Sequence, residues 1–255
     1  MIVPKHYSHQ LYRKLEEKSV GGFSISKSTI HKGSFIRTYH PAGFFYHDWL
    51  SSDLPVVKLV GDGGTLMSDT PLEQEAYKLP VSLARGDILV IGLGIGLFLQ
   101  LLRERNTLVK HITIVELREE VKSLVWRKVK SSNTELIIAD GKEYLKNAGM
   151  QFDYIFIDVW GSICGTLADV KSWRELAQSR LRGDNVVDFW LRALYNRVEY
   201  RLNQGPSLAT SAPGPHDPCL ICGKKLRFDY AGLCADCADP LGLSEYFVRK
   251  EKVAE

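Results

Sequence analysis

Residues 86–102 read GDILVIGLGIGLFLQLL: a short, fully apolar run, glycines at 92, 94 and 96, and a second apolar run long enough for a helix. The pattern predicts a buried strand, a tight turn and a helix in direct succession. Glycines there let the backbone turn sharply and approach a ligand where a side chain would collide. The succeeding helix offers unpaired amide hydrogens at its start. An ordinary strand-to-helix turn needs glycines too, so the motif gains meaning only from the segments downstream of it.

Those segments are HITIVEL (111–117), ELIIAD (135–140) and FDYIFID (152–158), apolar runs that each end on or near a carboxylate and are separated by helix-like stretches. Such alternation implies a parallel sheet with helices on its faces. In the first separating helix, VKSLVWRKVK places Val121, Leu124, Val125 and Val129 on one face; its Lys and Arg residues lie largely elsewhere and read as a solvated surface. Glu116 closes the second strand about twenty residues after Gly96, where a carboxylate can accept both ribose hydroxyl hydrogens of an adenosine ligand. A dinucleotide site prefers G-x-G-x-x-G, but Leu97 occupies the third glycine position and the turn is G-x-G-x-G.

That turn, with Glu116, Asp140 and Asp158 at the ends of successive strands, resembles the class I S-adenosylmethionine (SAM)-dependent methyltransferases, including their spermidine-synthase-like branch, over roughly residues 55 to 165. The resemblance implies that Gly92, Gly94 and Gly96 approach the methionine part of SAM, that Glu116 holds the ribose, and that Asp140 with Gly141 lies beside adenine. Asp158 would face the reacting centre as the catalytic residue. Asp140 has a second reading, as the cap of a helix beginning at GKEYL.

The fourth-strand motif Asp158-Val159-Trp160-Gly161 differs from the Asp/Asn-Pro-Pro-aromatic run that enzymes methylating exocyclic base nitrogens share. Cys164 lacks the preceding proline of cytosine C5 methyltransferases and reads as a buried thiol. GDGGTLMSDTPLEQEAYKL resembles the spermidine-synthase approach to the glycine turn, which makes aminopropyl transfer the alternative activity. Gly161, however, stands where that branch has the second aspartate of D-x-x-D, the one that helps deprotonate the attacking amine. Asp69 and Glu73 could contact substrate near the mouth of the site, although a helix cap also accounts for Glu73; Trp160 is a candidate substrate-binding residue because an aromatic face favours a sulfonium or an apolar group. Core packing explains Trp160 equally, and a turn explains Asp69. Asp188 and Trp190, in VVDFWL, are more speculative candidates for the same pocket.

Upstream, residues 21–60 mix aromatic and β-branched residues with turn formers, as short antiparallel strands do. Thr70, Pro71 and Glu73 predict a helix beginning at Pro71 behind a capping box. Beyond Trp173 the pattern turns helical and aromatic through DFWLRALYNRVEYRL, where a methyltransferase sheet would normally continue. A shortage of later strands would suit a non-catalytic SAM-binding scaffold.

Residues 203–218, NQGPSLATSAPGPHDP, form a Pro- and Gly-rich linker. After it come two C-x-x-C pairs, Cys219 with Cys222 and Cys234 with Cys237, able to supply four thiolates to one tetrahedral, structural zinc. The module resembles zinc ribbons, and Lys224, Lys225, Arg227, Phe228 and Tyr230 would dock a nucleic acid or protein partner.

The expected fold is thus α/β: an N-terminal β-subdomain (1–70), a Rossmann-like, mostly parallel sheet that binds SAM (71–202), a linker (203–218), and a small C-terminal zinc ribbon with tail (219–255). A chain of 255 residues is long enough for this, and its net charge of +3 is too mild to indicate nucleic acid by itself. No apolar stretch approaches the roughly 20 residues that cross a bilayer, and the first residues lack a signal-peptide core, so a cytoplasmic enzyme acting on an unidentified methyl acceptor is expected. So small a module has too little core to fold without its metal. Chelation is therefore expected to release zinc and unfold residues 219–237, a change that elemental analysis and circular dichroism would register.

Overall fold

The computed structural model describes residues 1–160 and 163–203, without the side chains of 163–168, 184 and 201–203. The zinc ligands expected from the sequence, Cys219, Cys222, Cys234 and Cys237, lie outside the described residues, as do the zinc ribbon and docking surface inferred from them.

Six strands precede Pro71: β1 (Lys18–Val20), β2 (Phe23–Ile30), β3 (Phe35–His40), β4 (Phe44–Trp49), β5 (Leu54–Gly61) and β6 (Gly64–Ser68). β1, β2, β5 and β6 form one antiparallel sheet in that order, and β3 pairs with β4 in a separate hairpin. A short helix, α1 (Gln10–Lys14), precedes them and buries Leu11.

Helix α2 (Pro71–Leu83) begins where the sequence predicts, with Pro71 in its first turn, but the capping box does not form. Thr70 exchanges a hydrogen bond with Ser68 instead, hydroxyl to hydroxyl at 3.0 Å. Glu73 is thereby left to point elsewhere.

A five-stranded, wholly parallel sheet comes next: β7 (Gly86–Ile91), β8 (Val109–Glu116), β9 (Thr134–Ile138), β10 (Phe152–Ile157) and β11 (Leu181–Phe189), in the order β11-β10-β7-β8-β9. This is the expected Rossmann-like arrangement. Strand β11 corrects the expectation of a helical region here and of a sheet short of strands.

Helices α3 (Leu97–Arg105), α4 (Glu119–Val121), α5 (Arg127–Val129), α6 (Gly141–Asn147) and α7 (Ile163–Gln178) connect the strands, and α8 (Arg192–Asn203) comes after β11. Between α4 and α5 the backbone widens into a π turn over Lys122–Trp126. Val121, Leu124, Val125 and Val129 are buried there, the face that the apolar spacing predicts.

The period-two geometry of the strands sorts the core into two layers. Ile88, Val90, Ile112, Ile114, Tyr154 and Phe156 face α2, α3 and the N-terminal sheet. Leu89, Ile91, Val115, Ile155 and Ile157 face α6 and α7. Both faces are covered, which explains why the strands read as continuous apolar runs. The chain steps outward from β7 to β8 and β9, then returns to place β10 on the other side of β7. A crevice opens at such a reversal, outside the carboxyl ends of the strands.

Among the described residues no helix is long and apolar enough to cross a membrane. Phe156 is fully buried, with its ring stacked on Phe98 at 4.2 Å and edge-on to Tyr77 at 5.6 Å. Phe156→Ala is expected to cost about 3 to 5 kcal/mol, measured as the shift in a denaturant titration.

Candidate functional site

A cleft of about 940 Å³ lies at the reversal point, floored by the ends of β7, β8 and β10 and roofed by β6 and α2. Gly92, Gly94, Glu116, Asp140, Gly141, Asp158 and Trp160 all line it, so one cavity gathers most of the residues singled out from the sequence.

Gly92 has φ 100°, and a side chain there would run into the Asp158 carbonyl. Its own N–H donates to Val115 O at 2.8 Å, while Asp158 N–H donates to Ile91 O at 2.8 Å. The ends of three strands are thereby drawn together.

Glu116 is buried at the end of β8. Its Oε2 accepts the Leu93 amide at 2.8 Å and its Oε1 accepts the Arg118 amide at 2.9 Å. A carboxylate has about four lone-pair sites, so this one anchors the turn and still has acceptor capacity facing the cleft.

Gly94 lies against the Met67 thioether, whose sulfur also accepts the Ile95 amide at 3.3 Å. A ligand approaching this part of the turn must share it with, or displace, a flexible side chain of β6. Gly96 does not line the cleft. It caps α3 with φ 76°, and Val129 of α5 would sit 2.7 Å from any β-carbon placed there.

Asp140 caps α6, its Oδ1 accepting the Glu143 amide at 2.9 Å, while also lining the cleft. The helix cap expected from the sequence is thus formed, and the residue borders the cleft as well. Gly141 packs against Ile91 and Trp173 and brings α6 close to the sheet.

At the opposite end, the Tyr77 hydroxyl donates to Asp158 Oδ2. Burial pushes the Asp158 carboxyl up to about 6; the Tyr77 hydroxyl works against that rise and the Glu116 charge adds to it. Glu73, freed from the helix cap, joins the same wall. Burial pushes its carboxyl up to about 8, helped by the Asp158 charge and opposed by the Trp190 indole. Tyr77 is driven well above the usual phenol range by burial and by these two carboxylates.

Trp160 and Trp190 complete this end, and the indole nitrogens of both are buried without a hydrogen-bond partner. The residue after Trp190, Leu191, takes a left-handed φ of 62°. Such a backbone costs a branched side chain on the order of 1 kcal/mol or more, and it turns the chain sharply where Trp190 enters the wall.

Two candidates sit elsewhere. Asp69 lies outside the cleft lining, 2 % exposed, its Oδ1 accepting the Val57 amide at 2.8 Å. Asp188 is fully buried, accepting the Tyr154 hydroxyl at 2.9 Å and the Phe189 amide at 2.8 Å. Cys164 falls on α7 where side chains are not described. Sequence reasoning missed Tyr77, and its signal was the spacing of four residues from Glu73, which puts both on one helix face. Among the described residues no cluster of three or more His, Cys, Asp or Glu side chains is placed to hold a metal ion; Cys219, Cys222, Cys234 and Cys237 are not among those residues.

No protein-family model matches the chain. It is 31% identical over 140 residues to Polyamine aminopropyltransferase 2 of Hyperthermus butylicus, a match covering 48% of this chain and 45% of that protein. The chain thus spans less than half the length of that curated relative. Among solved structures it is similar to spermidine synthase from Thermotoga maritima (17% identity, 72% of each chain, TM-score 0.43). It is also similar to the N-methyltransferase NodS from Bradyrhizobium japonicum (21% identity, 48% of this chain and 68% of that one, TM-score 0.38). Likenesses at these TM-scores are too partial to assign a reaction.

The unusual state of Asp69 can be tested directly. Burial pushes its carboxyl from 3.8 up to about 7. A carboxyl raised on folding favours the folded state in its protonated form, so that contribution is full below pH 4 and is lost as pH rises through 7. Asp69→Asn is expected to flatten the fall in unfolding free energy between pH 4 and 7 by up to about 4 kcal/mol, read from denaturant titrations at several pH values.

Proposed function

We propose that the chain is a transferase that binds SAM in the cleft and moves its methyl group to an amine acceptor. The observation that carries this reading is the placement of the buried Glu116 carboxylate beneath the Gly92–Gly94 turn, with Asp158 across the same cavity. Glu116 would take the ribose hydroxyls with its remaining lone pairs, the Gly92–Gly94 backbone would meet the methionine portion, and Ala139 to Gly141 would flank the adenine. Gly96 supports the turn from behind.

A bound sulfonium supplies an electrophilic carbon and a neutral thioether leaving group, so the protein's work is alignment and proton removal. Tyr77 holds one Asp158 oxygen in a fixed direction, and Asp158, ionised above about pH 6, is suited to hold a cationic amine at the reacting end. The indole faces of Trp160 and Trp190 favour the same kind of acceptor.

Aminopropyl transfer is a second reading, favoured by the likeness to Polyamine aminopropyltransferase 2. It needs the same amine end and differs in the donor, decarboxylated SAM. Calorimetric titration with SAM, S-adenosylhomocysteine, decarboxylated SAM and NAD separates these readings. Preference for SAM supports methyl transfer, preference for the decarboxylated donor supports aminopropyl transfer, and absence of adenosyl binding defeats both. Glu116→Gln keeps one anchoring acceptor but loses the charge, and is expected to weaken S-adenosylhomocysteine binding by about 1.5 to 3 kcal/mol.

A further inference from the structure

In the sequence Gly161 stands where the resembled branch has its second aspartate, yet the cleft holds a carboxylate besides Asp158. Glu73 reaches the cleft from α2, on the wall it shares with Asp158, Tyr77 and Trp190. Three observations set this carboxyl apart from a helix-cap residue. The cap it could have made at Thr70 is absent. The groups acting on it are Asp158 from the loop after β10 and the Trp190 indole from the end of β11, while Tyr77, one turn along α2, feels both carboxylates. Trp190 itself is 7 % exposed, with an indole N–H that has no hydrogen-bond partner, and it enters the wall at the left-handed turn of Leu191.

We infer that Glu73 is the proton-accepting residue of this site: on the wall it shares with Asp158, Tyr77 and Trp190 it is protonated in the free protein and sheds its proton when an aliphatic ammonium group enters. The inference rests on the proposed reading of the cleft as an adenosyl-sulfonium site with an amine acceptor.

Two half-buried carboxylates on one wall resist simultaneous ionisation, because each charge makes the other less favourable. The cations that line the cleft, Arg118 and Lys142, sit after β8 and at the start of α6, and Lys142 pairs with Asp169 at 3.2 Å. With Asp158 ionised above about pH 6, Glu73 keeps its proton to about pH 8. An incoming ammonium reverses this balance. Its charge favours the ionised form of both groups, the Trp190 N–H is available to the new Glu73 carboxylate, and the proton leaves to solvent.

Ionised Glu73 is then the better-matched base of the two, since its proton affinity lies nearer that of an alkylammonium. In the step itself an ammonium N–H bond breaks and an O–H bond forms on Glu73. The electron pair remains on nitrogen as the lone pair that attacks, and the total charge is unchanged.

The test counts protons. The full-length protein, saturated with S-adenosylhomocysteine, is titrated at pH 7 with n-butylamine and with putrescine, in buffers of different ionisation enthalpy. The wild type is expected to release about 0.5 to 1 proton per amine bound, since Asp158 is already largely ionised at that pH. Glu73→Gln is expected to bind S-adenosylhomocysteine unchanged and to release almost none. Trp190→Phe, which keeps the carboxyl but removes the indole donor, is expected to shift the release to higher pH, and it serves if the Gln variant does not fold. Amine binding without proton release in the wild type, or release that persists in Glu73→Gln, overturns the inference while leaving the cleft's assignment intact. Failure to bind S-adenosylhomocysteine, or failure of the loaded protein to bind either amine, overturns the reading on which it rests.

Discussion

Gly92 approaches the end of β10 so closely that no side chain fits between it and the Asp158 carbonyl. The Gly92 amide donates to β8 and the Asp158 amide to β7, so three strand ends are fastened within a few residues. Everything at the carboxyl edge of the sheet depends on this closeness. The backbone must leave β7 with positive φ, Glu116 of the neighbouring strand comes within reach of the Leu93 amide, and Asp158 enters the same cavity. Burying the Glu116 carboxylate without its two backbone donors would cost several kcal/mol; with them it becomes the peg on which the turn is hung.

The N-terminal sheet and α2 convert this edge into an enclosed cleft. β6 lays Met67 over Gly94, and α2 brings Tyr77 and Glu73 across the end of β10. Helix α2 is fixed from both sides. Gln74 binds the Ser8 backbone at 2.8 and 2.9 Å and the Asp69 carbonyl at 2.8 Å, while Tyr77 is edge-on to both Phe98 and Phe156. A wall holding Glu73, Asp158 and Glu116 is unfavourable to fold at alkaline pH, because burial raises the first two and no compensation is gained from ionising them in the absence of a cation. Such an arrangement contributes little to stability, which is the pattern expected where a site is tuned for a ligand rather than for the fold.

The sheet is legible in the sequence where its strands are buried on both faces. β7, β8 and β10 sit in the middle and read as unbroken apolar runs, and even β9, at one edge, ends in an apolar run and a carboxylate. β11 lies at the other edge, and LRGDNVVDFW includes exposed Arg182 and Gly183 at its start. Apart from Leu181 its apolar residues come near the end, beside the aromatic residues of α8, so the period of two is lost in a helical signal. The cap at Thr70 misleads for a different reason. A capping box and a cleft-lining glutamate require the same residue at the same spacing, and only the distant Asp158 and Trp190 decide between them.

The same contrast separates the two ends of the cleft. The glycine turn, Glu116 and Asp140 come from one β-α-β-α stretch, so their spacing in sequence carries their geometry. The other end is assembled from α2, the loop after β10 and the end of β11, segments brought together only by folding. Sequence spacing therefore speaks clearly about the glycine-turn end and only weakly about the other. This is the physical reason that one kind of turn serves transferases of many specificities. The end lined by Glu73, Tyr77 and Trp190 is free to change residue by residue, while the peg at Glu116 keeps the turn in place.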